Sequence, residues 1–337
     1  MSSIPTITVT PSQLKESIIK TIIPAGLSAM ISGAPGIGKS ELVREAAAEL
    51  GREVVDIRAS LLDPVDLRGL PSVHGGVTDW NIPAFLPRDG EGVLFLDEIN
   101  VAPKLVQGSL YQLVLERKLG DYEVPEGWAV IAAGNRKEDR AIVQDAGTAL
   151  GTRFVHFELV PSIDDFTNFA VREDSGIATE VLAFLRFRPE LLHKFSADEK
   201  THPCPRTWSF VSRVFGTKPR RALSLPLYAG CVGEAAAVEF NGFLEIMDRI
   251  TPVEQILMDP DGAPVPEDRD VAVLYAQCAA LAKATTKDNV AKVLTYVDRL
   301  PAEFQAFAVK AAILGTDAIK RTKAFTAWAV KNADVQL

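Results

Sequence analysis

The chain predicts an α/β unit, a parallel sheet held between helices, followed by a remainder that is all helical. Three observations carry that prediction. Short, nearly all-apolar runs such as "LSAMISG", "GVLFLDEI" and "GWAVIAAGN" alternate with helix-forming segments through the first 160 residues. Strands that are apolar on both faces belong to parallel sheets covered by helices. Beyond Pro161 the apolar residues recur at helical intervals in one segment after another, and strand-like runs stop.

The elements follow in order. "TPSQLKESIIKTII" reads as a short amphipathic helix with Thr10 or Ser12 near its cap and Pro24 after its end. "LSAMISG" is a strand running into a glycine-rich turn. "KSELVREAAAELG", rich in Ala, Leu and Glu and closed by Gly51, is a helix. "EVVDIRA" and "GVLFLDEI" are strands, "PKLVQGSLYQLVLERK" a helix, and "GWAVIAAGN" and "TRFVHFELV" the last two strands. Two stretches look inserted: "GLPSVHGGVTDWNIPAFLP", a hairpin or kinked loop, and "ERKLGDYEVPEG", readable as a hairpin. In the second half, "GIATEVLAFLRFRPELLHKF", "RTWSFVSRVF", "LYAGCVGEAAAVEFNGFLEIM", "DVAVLYAQCAALAKAT" and "NVAKVLTYVDRL" are predicted helical, with the linker-like "MDPDGAPVPEDRD" among them. The expected division is 1–160, 161–265 and 266–337.

Bulk composition narrows the function classes. The 337 residues are 47% hydrophobic and 24% charged, with a net charge of −8. That balance argues against non-specific wrapping of nucleic acid, while leaving room for a local basic groove or pore. Cys204, Cys231 and Cys278 are widely spaced, form neither a metal-ligand pattern nor a disulfide framework, and suit a reducing cytoplasm as small buried hydrophobes. The N-terminal residues lack a basic and an apolar signal region, and no charge-free apolar run of about 18 residues occurs. The expectation is a soluble cytoplasmic protein. His74 and His156 have no partner pattern for a metal or a triad.

"GAPGIGKS", Gly33 to Ser40, fits G-x-x-x-x-G-K-[ST] and lies between a predicted strand and a predicted helix, the context that pattern requires. Glycines let backbone N–H groups curl around phosphates, and the helix start adds its positive end. Gly33, Ala34, Pro35, Gly36, Ile37, Gly38, Lys39, Ser40 and Glu41 are therefore the expected nucleotide-binding segment of a P-loop NTPase. Lys39 is expected to reach the β- and γ-phosphates, and Ser40 to offer its hydroxyl to Mg²⁺. "FLDEIN" sets Asp97 and Glu98 at the end of an apolar run. On a strand expected beside the P-loop strand, Asp97 would hold the metal through its water shell, and Glu98 would orient and deprotonate the attacking water. The competing reading is two solvated carboxylates capping the next helix.

With "GAPGIGKS", "FLDEINVAPK", "AAGNRKEDR" and "TRF" in this order, the chain resembles AAA+ ATPases. The stretches "DLRGLPSVHGGVTDWNIPAFLP" and "LYQLVLERKLGDYEVPEGWAVIAAGN" make it similar to the MoxR group. The resemblance spans about residues 10–215. It implies an AAA+ core over 1–160, a helical lid over 161–265 and a helical C-terminal extension over 266–337. It further implies a ring, usually hexameric, with ATP and Mg²⁺ between subunits, that remodels a partner protein, often one with a von Willebrand factor A domain. By the same resemblance Asn135 matches the sensor-1 position and Arg153 the arginine finger acting on the neighbouring subunit. Arg206 matches the sensor-2 arginine, with Arg220 and Arg221 as competitors. Arg140 is a further arginine for which a solvated loop position competes with a role in trans. In related rings the inserted stretches face the pore and touch substrate.

Rival classes fare less well. A GTPase would need Asn-Lys-x-Asp, which "GNRKED" does not supply. A small-molecule kinase would rarely need Arg153 or the long helical tail, and a non-catalytic scaffold would not need Lys39, Ser40, Asp97 and Glu98 together. A nucleic-acid-translocating motor on the same fold is the alternative that stands, with Arg117 and Lys118 as the cations that would grip a phosphate backbone.

Overall fold

A computed structural model of the chain describes residues 7–136, 154–172, 174–195, 199–247 and 250–332. It divides into two compact units, Met1–Ser162 and Ile163–Leu337.

The first unit is built on six parallel strands: β1 (Thr8–Val9), β2 (Ala29–Ser32), β3 (Glu53–Arg58), β6 (Gly92–Asp97), β9 (Trp128–Gly134) and β10 (Val155–Leu159). Their order across the sheet is β1-β10-β2-β9-β6-β3. This corrects the expectation that the strand of Asp97 lies beside the P-loop strand, because β9 runs between β2 and β6. The reason is burial: all seven β9 residues are buried, and a strand that needs no solvent face takes the middle of the sheet.

Alternation along the strands feeds two separate apolar layers. Leu94, Leu96, Val130 and Ala132 face one side with Val106, Leu110 and Leu113 of α4 (Lys104–Glu116). Val93, Phe95, Ala129 and Ile131 face the other. They meet Leu14 of α1 (Pro11–Ser17) and Val43, Ala46 and Ala47 of α2 (Lys39–Glu49). A fully buried side chain such as Phe95 contributes roughly 1.5–3 kcal/mol.

Helix α1 begins at Thr10, which accepts from the Gln13 N–H while Gln13 Oε1 accepts from the Thr10 N–H, a capping box. Its expected continuation widens into a π turn over Ile18–Ile22, closed by Ile23 N–H donating to Ile18 O at 3.1 Å. Ile18, Ile22 and Ile23 are all buried. Both inserted stretches are hairpins: β4 (Leu70–His74) with β5 (Val77–Asn81), and β7 (Lys118–Leu119) with β8 (Tyr122–Glu123). The first keeps Leu70, Val73 and Val77 exposed. A five-residue helix, α3 (Pro64–Arg68), precedes it.

The second unit is helical among its described residues. The predicted long helix "LYAGCVGEAAAVEFNGFLEIM" is two, Arg221–Val232 and Glu234–Met247, because Gly233 between them takes a φ of +85°. Likewise the Thr179–Phe187 helix stops at Arg188, which Pro189 holds out of helical geometry. Phe184, Trp208, Tyr228, Phe240 and Phe243 pack as an aromatic cluster, and the same core runs on through Leu274, Tyr296, Phe304 and Trp328. The linker-like stretch is pinned to it. Tyr296 Oη donates to Pro264 O at 2.7 Å, an Arg299 nitrogen donates to Pro260 O at 2.7 Å, and Ala263 is buried. Among the described residues no helix is long and apolar enough to cross a membrane.

Candidate active site

The C-terminal ends of β2, β9 and β6 assemble the site. After β2 the chain turns through Gly33, where a Cβ would lie 2.7 Å from Ile37 Cδ1 and 3.0 Å from Leu159 O. The Gly33 N–H donates to Gly134 O at 3.3 Å, tying the loop to the end of β9. Gly36 and Gly38 have φ of +78° and +94°, the left-handed region where a side chain is strained. Gly38 is also the N-cap of α2, so the free N–H groups of the first helical turn open onto the loop, with Glu41 in that turn.

Lys39 is only 8% exposed. Its Nζ donates to Gly33 O at 2.8 Å, Ala34 O at 2.9 Å and Asn135 Oδ1 at 3.1 Å. A buried ammonium needs such acceptors to offset its desolvation. Ser40 Oγ, in the first turn of α2, donates to Asp97 Oδ2 at 2.8 Å, although β9 separates β6 from β2, the strand that leads into the loop. Asp97 Oδ1 accepts from the Glu98 N–H at 2.9 Å. That bond supports a Glu98 backbone with φ of +57°, uncommon for a residue with a side chain. Glu98 is exposed, and Ser60 Oγ donates to its Oε2. The turn after β6 is stitched to β9 by Ile99 N–H to Ala133 O at 3.1 Å and by Asn100 Nδ2 to Asn135 O.

Lys39, Ser40, Asp97 and Asn135 are thus brought together with the glycine loop, and Glu98 adjoins them. Ser60 and Asn100 escaped the sequence reading. The one local signal for Asn100 was its place in "FLDEIN". Ser60 had none, since it reaches Glu98 only because β3 and β6 are paired, with Arg58 opposite Asp97. Arg153 and Arg140 lie outside the described residues. Arg206, in the second unit, is an exposed first-turn residue of the Pro205–Gly216 helix, and its side chain makes no hydrogen bond or ion pair among the described residues. Of its competitors, Arg221 pairs with Glu245 at 3.2 Å and Arg220 is exposed. Arg117 donates through one Nη2 to Pro125 O and Trp128 O, both at 2.7 Å, and Lys118 lies 3.6 Å from Glu123. Among the described residues no cluster of three or more His, Cys, Asp or Glu side chains forms a metal site.

The residues present fit a nucleotide with Mg²⁺. Two left-handed glycines and a helix start form an anion cradle, with open space where a Gly38 Cβ would stand. The paired Ser40 hydroxyl and Asp97 carboxylate are the hard oxygen donors that Mg²⁺ prefers.

Fold and site together define a P-loop ATPase with an AAA-type core. Residues 28–154 match the family model described as AAA domain, dynein-related subfamily. Solved structures similar to the chain include NtrX from Brucella abortus in complex with ADP, at 17% identity over 96% of this chain and 67% of that one, TM-score 0.36. NtrX with ATP gives 16% identity over 98% and 68%, TM-score 0.35. The RuvB Holliday junction branch migration motor of Thermotoga maritima gives 12% identity over 94% and 86%, TM-score 0.33. No curated protein matches the chain.

Proposed function

We propose that the chain is a subunit of a MoxR-like AAA+ ring, usually hexameric, that uses Mg²⁺-dependent ATP hydrolysis to remodel or activate a partner protein, of the class that carries a von Willebrand factor A domain. The observation that carries the hydrolytic part is the convergence of Lys39 with Asn135 and of Ser40 with Asp97 at the sheet's C-terminal edge. Ring and partner rest on the order of the motifs "GAPGIGKS", "FLDEIN", "AAGN" and "TRF".

In this reading Gly33 to Glu41 wrap the phosphates and Lys39 places its charge on the β- and γ-phosphoryl oxygens. Ser40 and Asp97 hold Mg²⁺, which when bound neutralises charge on those oxygens. Glu98 takes the proton of the attacking water, and Asn135 helps to place that water. Ser60, bonded to Glu98, holds the carboxylate to one side until it is needed. Arg153 completes a neighbour's site, and Arg206 senses the γ-phosphate from the lid (161–265), which carries the extension (266–337).

Support for a protein client over a nucleic-acid track comes from the hairpins. Arg117 is committed to carbonyls, and Glu123 opposite Lys118 offsets its charge, while Leu70, Val73 and Val77 expose apolar surface. The test is capture with Glu98→Gln and ATP, run beside sizing with and without nucleotide and a salt-titrated DNA-binding assay. Nucleotide-dependent assembly with a retained protein partner supports the reading. Salt-sensitive DNA binding without a protein partner would replace it with the translocating motor.

A further inference from the structure

Asn100 is 6% exposed and follows Glu98 by two residues, yet no step above uses it. Its Nδ2 donates to the Asn135 backbone carbonyl at 2.5 Å, and its Oδ1 has no hydrogen-bond partner among the described residues. Burying an amide with half its capacity unmet is unfavourable, and an aliphatic side chain of that size would avoid the cost. A half-satisfied buried polar group at a site calls for a reason beyond packing.

The surroundings are shaped around this amide. Gly134 has no Cβ, and one placed there would stand 2.7 Å from Asn100 Cγ and Oδ1 and 2.9 Å from Nδ2. Next to it, Ile99 N–H holds Ala133 O at 3.1 Å, and Val101 N–H closes the turn on Glu98 O at 3.1 Å. Three consecutive β9-end residues, Ala133, Gly134 and Asn135, therefore meet the turn that carries Glu98. The Asn135 side chain in turn holds Lys39.

We propose that Asn100 is a positioning residue for hydrolysis. Its amide clamps the Asn135 carbonyl to the Glu98 turn, so that the backbone carrying Glu98 and the backbone carrying Asn135 keep a fixed separation from which both side chains reach the reacting phosphoryl group. This rests on the reading that Glu98 and Asn135 act together on the attacking water. Nucleotide binding is carried by the loop and Lys39, and Lys39 keeps Gly33 O and Ala34 O as acceptors even where Asn135 shifts. Loss of the clamp therefore lowers kcat and leaves affinity in place.

The experiment uses the full chain in four forms: wild type, Asn100→Ala, Asn135→Ala and the double variant, with ATP turnover under saturating Mg²⁺ and ADP affinity by calorimetry. Misplacing a catalytic group by about 1 Å costs on the order of 10²-fold, so Asn100→Ala is expected to lower kcat by about 10- to 100-fold with ADP affinity within about threefold. Because Asn100 acts through Asn135, the double variant should turn over within about twofold of Asn135→Ala alone. If the two losses multiply, or if Asn100→Ala keeps wild-type kcat, the proposal is overturned. If Asn135→Ala itself keeps full turnover, the underlying reading fails instead, and the proposal with it. Asn100→Leu guards against a folding defect, since it fills the space without a donor. Retained stability with lost turnover supports positioning, and retained turnover overturns it.

Discussion

Replacing Lys39 by Ala should remove most of the stabilisation that ATP confers, while Glu98→Gln should keep it. Lys39 Nζ already lies within 3.1 Å of three acceptors at the mouth of the loop, so its charge is poised where phosphate oxygens would be cradled. A charge-assisted hydrogen bond is worth roughly 1.5–3 kcal/mol. A loss of about 2.7 kcal/mol weakens binding about 100-fold. With a slowly hydrolysed ATP analogue at about 100 times the wild-type Kd, binding stabilises the protein by about 2.7 kcal/mol, and this falls to about 0.4 kcal/mol in the variant. For a unit of this size each kcal/mol moves Tm by about 2–4 °C, so a shift of about 5–11 °C shrinks to about 1–2 °C. Glu98 lies off the loop, exposed and bonded to Ser60, and its amide variant should retain the full shift while losing turnover. The assay is thermal unfolding with and without the analogue and Mg²⁺, each variant compared with its own baseline. Equal loss of the shift in both variants would refute the division of roles, as would a full shift in Lys39→Ala.

Arg206→Ala should weaken ATP more than ADP in equilibrium binding, because only ATP carries the γ-phosphate. A selective loss with Arg221→Ala would move that role, although Arg221 is already paired with Glu245. Arg153→Ala should bind ATP normally and hydrolyse it about 10³- to 10⁵-fold more slowly. Mixing it with Lys39→Ala under subunit exchange should restore activity at sites with an intact loop and a borrowed arginine, and mixed oligomers that stay inactive would place Arg153 outside that role. Burial pushes the Tyr122 hydroxyl, which donates to Pro87 O, up to about 12. The unfolded chain releases that proton first, near pH 10, so this contribution to stability is complete below pH 10 and is lost as pH rises from about 10 to 12. Tyr122→Phe should flatten the decline of Tm across that window, and an unchanged slope would show that Tyr122 does not cause it.

Much of the site was legible because its chemistry is written locally. The glycine loop, Lys39 and Ser40 occupy eight consecutive residues, and positive φ at Gly36 and Gly38 is a demand that glycine meets at no steric cost. The second hairpin was legible for the same reason, since "LGDY" puts glycine where a tight turn needs it, whereas the first stretch left a hairpin and a kinked loop both open until β4 and β5 were seen to pair. Helix ends were read less well. Gly233 and Pro189 were present in segments whose apolar periodicity ran straight through them, and periodicity does not register a single residue that breaks the backbone.

The sequence by itself determined the parallel sheet, the phosphate-binding loop and the acidic strand end, because each follows from the residue types within about a dozen positions. Strand order was decided only in the tertiary structure. It depends on which of several apolar strands is the most completely buried, and β9, buried at every position, separates β2 from β6. The same holds for the contacts that organise the chemistry. Ser60 with Glu98, Asn100 with Asn135 and Lys39 with Asn135 join residues 38, 35 and 96 positions apart. No spacing rule reaches that far; parallel pairing brings those strand ends to one edge, and only there does an ordinary serine or asparagine acquire a partner.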